Sequence, residues 1–341
     1  MRAAKCKRMN EPSTRNPTLD DVAALASVST ATVSRYLNNP KVVAAATAER
    51  IREAIAQTGY IPNMLAGGLA SSKSKMVSVL IPHLTDSIFN DTIQTMAEEL
   101  AGAGTTVMMG LTGVAPERTD EMILAAMGRR VDAIISTAPL GPQTRELVER
   151  FPGLFIQIWE LPENPPGIAV GFSHRDVGRD VARFLQSRGY RRPLLVTAEG
   201  TRARIRSDGF IEEWQALGGG EVAQAQVDIP SRFGHARRIF ADMRRMAELP
   251  DVVVCGSDYL AQGLIVEAQA AGLRVPDQLA VMGFGNSALA GAMRPTITTV
   301  DIDGSRIARE AIAAIRHHAT GAPPLARSID VGFRLIERES A

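Results

Sequence analysis

The fold of the chain is decided by the stretch from Leu19 to Asn38, LDDVAALASVSTATVSRYLN. Its apolar residues recur at helical spacing in two short runs, which predicts two short helices. Ser29 lies between the runs as a candidate N-cap for the second helix, and Val28 is expected to plug the turn. The stretch therefore predicts a helical hairpin with a tight turn.

The second helix of this hairpin carries small and hydrogen-bonding side chains on the face opposite Val33 and Leu37. A helix with such a face can enter the major groove of DNA, where short side chains reach base edges and phosphates. The alternative is an ordinary helical hairpin without this role. The predicted DNA contacts on this helix are Ser29, Thr30, Ala31, Thr32, Ser34, Arg35 and Asn38.

The same stretch resembles the helix-turn-helix of the lactose-repressor (LacI/GalR) family of bacterial regulators. The motifs that carry the resemblance are DVA at 21–23, VS at 28–29, TVSR at 32–35, Asn38, GYIPN at 59–63 and LA at 69–70. A looser similarity continues to the C-terminus. The resemblance implies a transcriptional regulator that binds a near-palindromic operator as a homodimer, with a tetramer as the alternative.

The resemblance also implies individual roles in DNA binding. The residues expected at base edges are Thr30, Ala31 and Arg35. Those expected at phosphates or near the DNA backbone are Ser29, Ser34, Asn38, Tyr60 and Asn63. Leu69, with Ala70 beside it, is expected to wedge into the minor groove and bend the duplex, because an inserted apolar side chain unstacks a base step. The alternative is a plain flexible linker.

The DNA-binding part of the chain departs from the family pattern at four positions. Ser27 stands where a turn glycine is usual, which costs about 1 kcal/mol if the backbone there is left-handed. Ala44 stands where a serine usually caps the third helix, a loss of about 1 kcal/mol. Gly67 and Gly68 lie in the expected hinge helix and lower its helix propensity by about 2 kcal/mol.

The composition separates a basic N-terminal part from an acidic remainder. Residues 1–76 contain eleven Lys/Arg and five Asp/Glu, whereas the remainder contains 27 and 32. A cationic head on an anionic body is typical of a phosphate-binding domain joined to a sensing domain. No apolar run is long enough to span a membrane, and no secretory signal follows the N-terminal basic residues, so a cytoplasmic location is expected.

The chain is expected to fold as an α/β protein, with a small all-α helix-turn-helix head and a two-lobed, periplasmic-binding-protein-like core of doubly wound parallel sheets. The predicted segments are a disordered basic arm (1–17), the head (18–62), a hinge (63–76) and the core (77–341). The first lobe is placed at about 77–172 plus 301–325, and the second at about 175–299 plus 326–341. A strand near 329–336 is also expected to return to the first lobe.

An effector is expected between the lobes, because ligands of open α/β sheets bind at the carboxyl ends of the strands. Arg206 matches the family's effector arginine, and a guanidinium can grip a carboxylate or vicinal hydroxyls in a bidentate manner. Phe89 is equally consistent with stacking on a sugar and with the core. The candidate effector contacts are Asp86, Phe89, Glu160, Arg206, Ser257, Asp258 and Asn286.

The effector is expected to be a sugar acid such as gluconate. Gly285 replaces an acid that is usual in the family, which removes a repulsion toward an anion. The stretches AVGF at 169–172 and GFG at 283–285, with Met293 and Pro295, resemble the gluconate-type regulators of the family. Phosphorylated or neutral sugars are the alternatives. Release from the operator is the expected response, and a corepressor mechanism is the alternative.

Other protein classes are less consistent with the sequence. A sugar-processing enzyme of two α/β lobes does not explain the helical hairpin, and a transport protein would need an export signal. The sequence has no phosphate-binding loop and no nucleophile–base set at a strand end. Its five histidines and two cysteines lack metal-ligand spacing. We therefore expect no catalytic residues, no metal and no cofactor.

Overall fold

The computed structural model describes residues 15–62, 74–84, 88–229, 231–324 and 326–341. The chain divides into a head that extends to Ser74 and a core that starts at Lys75. Four of the predicted site residues lie outside the described residues, namely Asn63, Leu69, Ala70 and Asp86. No helix in the described part of the chain has both the length and the apolar character needed to cross a bilayer.

The head consists of three α-helices and a short 3-10 turn. These are α1 (Leu19–Ala26), α2 (Thr30–Asn38), the 3-10 turn Pro40–Val42 and α3 (Ala45–Thr58). The backbone N–H and the hydroxyl of Thr18 both donate to Asp21 at 2.7 Å, which closes the start of α1. Ser29 caps α2 as predicted, since its Oγ accepts from the backbone N–H of Thr32 at 3.2 Å.

The small core of the head comes from the apolar faces of all three helices, with Val22, Val33 and Ile51 fully buried. Val28 is only half-buried at the edge of this core, so it closes the turn less completely than the sequence suggested. Ser27 has the left-handed backbone considered above, with φ at 52°. The residue that precedes α3, Ala44, makes no side-chain cap.

The first lobe of the core is built on a parallel six-stranded sheet in the order β11-β5-β4-β3-β1-β2. Apolar runs form its central strands, which helices cover on both faces. Its strands are β1 (Met76–Ile81), β2 (Thr106–Leu111), β3 (Ala133–Ser136), β4 (Leu154–Ile158), β5 (Ile168–Gly171) and β11 (Ser328–Asp330). Its helices are α4 (Asn90–Gly102), α5 (Pro116–Gly128), α6 (Pro142–Glu149) and α12 (Gly304–His318).

The second lobe is built on a parallel four-stranded sheet in the order β7-β6-β8-β9. Its strands are β6 (Pro193–Ala198), β7 (Ala223–Val227), β8 (Val252–Cys255) and β9 (Ala280–Met282). Its helices are α7 (His174–Ser187), α8 (Thr201–Ala216), α9 (Ala236–Met243), α10 (Asp258–Ala270) and α11 (Ala288–Ala292), with a 3-10 turn at Phe233–His235. An antiparallel pair, β10 (Thr299–Asp301) and β12 (Arg334–Ile336), lies where the chain crosses between lobes.

The predicted lobe boundary near residue 326 needs a correction. Strand β11 (Ser328–Asp330) pairs in parallel with β5, so this segment belongs to the first lobe. The chain returns to the second lobe only afterwards, where Ser340 exchanges hydrogen bonds with Val281 in β9. The pairing of β11 with β5 confirms the expected return of a strand to the first lobe, but the expected single strand at 329–336 is two strands, β11 and β12. The left-handed Gly332, with φ at 68°, lies between them.

Helices α7 and α8 pack unusually closely because a glycine faces the partner helix on each side. A Cβ on Gly178 would overlap the carbonyl oxygen of Arg206, and a Cβ on Gly209 would overlap the carbonyl oxygen of Arg175. This close approach brings the first turn of α7 next to the middle of α8. It thereby determines which side chains meet at the cleft.

Candidate effector cavity and DNA-binding face

A cavity of about 420 Å³ lies between the two lobes, lined by the loops that follow their strands. Its size suits a small organic ligand. The polar and aromatic lining side chains of the first lobe include His83, Phe89, Thr137, Trp159 and Glu160. Those of the second lobe, with the crossing residue His174, include Glu199, Thr201, Arg202, Arg206, Ser231 and Ser257.

Two arginines of α8 reach the cavity from the same face of the helix. Arg202 and Arg206 are four residues apart, so one turn of helix brings their side chains into line. The guanidinium of Arg202 lies 5.6 Å from the ring centroid of Phe89, and that of Arg206 lies 4.3 Å from the ring centroid of Phe284. Stacking holds the planar groups in place and leaves their N–H edges for hydrogen bonds.

His174 holds Arg206 in its orientation. Its Nδ1 accepts from Nη1 of Arg206 at 3.0 Å, and its Nε2 donates to the carbonyl oxygen of Trp159 at 2.9 Å. Because a carbonyl can only accept, this pair of bonds places the ring hydrogen on Nε2. Burial, together with the charges of Arg206 and Arg202, lowers the pKa of His174 to about 2. The ring therefore stays neutral at physiological pH and is a permanent acceptor.

The cavity contains more positively charged than negatively charged enclosed side chains. Burial and, as the smaller effect, the neighbouring charge of Arg202 together lower the pKa of Arg206 to about 9. Burial also lowers the pKa of Arg202, against the opposing effect of Glu160. In the described part of the chain no carboxylate forms an ion pair with Arg206, although buried charges are normally paired. This site is therefore suited to an anion.

Glu160 is the half-buried carboxylate among the described residues that line the cavity. Burial raises its pKa, while the charge of Arg202 and a hydrogen bond donated by Nε2 of Gln157 oppose that rise. Glu199 also lines the cavity, but its side chain is exposed to solvent, where its charge is screened. Two enclosed guanidinium groups thus face one enclosed carboxylate.

Four of the predicted effector residues line this cavity, namely Phe89, Glu160, Arg206 and Ser257. Phe89 is 3% exposed and packs edge-on against Trp159, so it is a core residue that also forms part of the cavity wall. The hydroxyl of Ser257 donates to the carbonyl oxygen of Ser231 at 3.0 Å and caps α10.

The predicted effector contacts Asp258 and Asn286 do not line this cavity. Asp258 accepts from the hydroxyl of Thr299 and from the backbone N–H of Ser287, both at 2.6 Å. Its two oxygens are thus used to hold the loop after β9. The amide of Asn286 is also engaged. It donates to Asp301 at 3.0 Å and accepts from Arg338 at 2.7 Å.

Sequence reasoning missed Arg202 and His174 as members of the site. The spacing of Arg202 from Arg206 was the available signal, since residues four apart share a helix face. His174 gave no such signal. Its place beside Arg206 follows from the close packing of α7 on α8 at Gly178 and Gly209, which a single sequence does not reveal.

On α2 of the head, the structure leaves the predicted DNA-reading residues accessible to different degrees. Ala31, Arg35 and Asn38 are exposed, whereas Thr30, Thr32 and Ser34 are half-buried. The hydroxyl of Ser29 is exposed but is engaged in capping, and it also pairs with the hydroxyl of Thr32 at 2.9 Å. The amide of Asn38 donates to the carbonyl oxygen of Ser34 at 3.0 Å.

Comparison with known proteins finds family profiles that match both the head and part of the core. The profile of bacterial regulatory proteins, lacI family, matches residues 18–63, and that of a periplasmic binding protein-like domain matches residues 182–341. The HTH-type transcriptional regulator GntR of Escherichia coli K12 is 28% identical over 324 residues, which cover 94% of this chain and 97% of that protein.

Solved structures share the same fold. A LacI-family transcriptional regulator from Silicibacter pomeroyi superposes with a TM-score of 0.88 at 25% identity, over 95% of this chain and 99% of that one. The lac repressor dimer bound to operator has a TM-score of 0.82 at 22% identity, over 96% of this chain and 99% of that one.

Proposed function

The chain belongs to the lacI family of bacterial regulatory proteins, and from this premise we propose that it is a repressor released from its operator by a sugar acid. The relatives that define the family here are transcriptional regulators, so an α/β enzyme is not favoured. The proposal assigns operator binding to the head and effector binding to the cavity between the lobes.

The observation that carries the effector assignment is the excess of positive charge in the cavity. Arg202 and Arg206 face Glu160 alone among the enclosed carboxylates of the described lining. A sugar acid supplies one carboxylate to pair with Arg206 and several hydroxyls that can donate to Glu160. A neutral sugar would leave the half-buried Arg206 without a counter-charge.

Calorimetric titration of the full chain tests the effector assignment. D-gluconate is expected to bind at least about tenfold more tightly than sorbitol, its neutral counterpart with the same six-carbon hydroxylated chain, since Arg206 gains an ion pair only with the acid. Binding of sorbitol that equals or exceeds that of gluconate would show that the ligand class is wrong.

On DNA, the proposed unit is a homodimer that reads two half-sites of a near-palindrome with its two α2 helices. The lac repressor, which shares the fold, is also bound to its operator as a dimer. Thr30, Ala31 and Arg35 are assigned to base edges. Ser34 and Asn38 are assigned to phosphates, although the amide of Asn38 must first leave the carbonyl oxygen of Ser34.

Arg35→Ala is expected to weaken operator binding by about 1–3 kcal/mol and to relax the preference for operator over unrelated DNA. Arg35 is exposed and can pair with O6 and N7 of guanine. Arg50→Ala is the matched control, because it removes the same charge from an exposed position on α3. Fluorescence anisotropy with operator and scrambled duplexes gives both affinities. Equal losses on both duplexes would assign Arg35 to phosphates instead.

A further inference from the structure

One residue of the second lobe reaches across the cavity to the first. Arg202 lies in the first turn of α8, and its guanidinium stacks over the ring of Phe89, which precedes α4 of the first lobe. It also lies close enough to Glu160, after β4 of the first lobe, for its charge to lower the pKa of that carboxyl. Arg202 and Glu160 are therefore opposite charges on opposite walls of the cavity.

Charge in such a place acts strongly on a ligand. The cavity is lined by Phe89 and Trp159 on one side, and burial shifts the pKa values of Arg202, Arg206 and Glu160 away from their ordinary ranges. Where the effective dielectric constant is lower than that of water, each uncompensated charge attracts or repels a ligand charge far more strongly than it would in water. The net charge of the enclosed side chains thus determines which ligand charge binds most tightly.

We propose that the pair formed by Arg202 and Glu160 sets the charge specificity of the cavity, so that the wild-type cavity selects a monoanion over both neutral and dianionic ligands. Arg206 supplies the positive charge that the ligand neutralises. Arg202 and Glu160 offset each other around it. A second carboxylate on the ligand would leave the enclosed groups with a net negative charge, and no carboxylate would leave Arg206 uncompensated. This inference rests on the proposed function.

Three ligands with the same six-carbon polyol chain test the proposal by calorimetry on the full chain: sorbitol has no carboxylate, D-gluconate has one and D-glucarate has two. The wild type is expected to bind gluconate most tightly. Arg202→Gln is expected to lower the ratio of gluconate to sorbitol affinity about tenfold. Glu160→Gln is expected to raise the ratio of glucarate to gluconate affinity about tenfold. The glutamine amide oxygen can still accept from Gln157.

The double variant Arg202→Gln with Glu160→Gln separates charge from shape. It restores one excess positive charge, so its preference for gluconate over sorbitol is expected to return to within about threefold of the wild type. If the single variants acted only through steric damage, the losses in affinity would instead add up in the double variant. Arg202→Lys keeps the charge and is expected to keep the preference. Arg204→Gln is the matched control, since Arg204 is exposed on the same helix and should change no ratio.

The outcomes distinguish this proposal from the proposed function. Single variants that keep the wild-type ratios would overturn the charge assignment, as would a double variant whose gluconate preference is lower than that of both single variants. If the Arg202→Gln protein does not fold, Glu160→Gln and Arg202→Lys still decide the question. A wild type that prefers sorbitol would instead overturn the sugar-acid function itself.

Discussion

Arg206→Ala is expected to reduce the affinity for gluconate by about 100-fold or more. The substitution removes the group that pairs with the ligand carboxylate, and loss of one partner of a buried ion pair costs about 2–5 kcal/mol. It also leaves Nδ1 of His174 without its donor. Calorimetric titration of the full chain at neutral pH measures the loss directly.

Arg204→Ala is the control for this experiment, because Arg204 is an exposed arginine of the same helix and should bind gluconate as the wild type does. A pH series adds a second readout. In the wild type the affinity should stay constant between about pH 6 and 8 and fall above about pH 9, as free Arg206 loses its proton. An Arg206→Ala protein that binds within about threefold of wild type would place the effector elsewhere.

Gly178→Ala is expected to destabilise the core by about 3 kcal/mol. The added Cβ would overlap the carbonyl oxygen of Arg206 and lie 2.7 Å from the backbone nitrogen of Phe210. Both atoms belong to the backbone of α8, so neither can rotate away, and α7 and α8 must move apart. The same movement would separate His174 from Arg206, and effector affinity should fall with stability.

Urea unfolding followed by tryptophan fluorescence measures this loss, because Trp159 and Trp214 both lie in the core. Gly102→Ala is the matched control, since a Cβ on Gly102 meets nothing within 4 Å at the end of α4. It should leave stability unchanged or raise it by up to about 1 kcal/mol. A Gly178→Ala protein as stable as the control would show that the two helices can separate at little cost.

The individual helices and strands were predictable from the sequence because they depend on interactions between residues close together in the chain. Ser29 caps α2 through a bond to a residue three positions later, and alternating apolar strands and amphipathic helices define the two lobes. The return of a strand to the first lobe was predicted as well, but the lobe boundary near residue 326 and the extent of that strand were wrong. Whether Ser328–Asp330 pairs with β5 or with a strand of the second lobe depends on pairing across more than 150 residues.

The candidate site was predictable only in part for the same reason. Arg206 follows a strand end and lies in the cavity. Asp258 also follows a strand, but it bonds to Thr299 and Ser287, which come close only when the second lobe is complete. His174 joins the site through contacts between helices. Residues whose roles depend on such distant partners cannot be assigned from one sequence.

The link between cavity and head is tested most directly by the operator affinity of the full chain with and without effector. Operator fragments enriched from the organism's genome by the protein itself provide the duplex, and fluorescence anisotropy gives Kd in the presence of gluconate, of sorbitol or of neither. Gluconate is expected to weaken operator binding by about 5- to 150-fold, whereas sorbitol should leave it unchanged. An operator Kd that gluconate does not change, or that it lowers, would contradict release by a sugar acid.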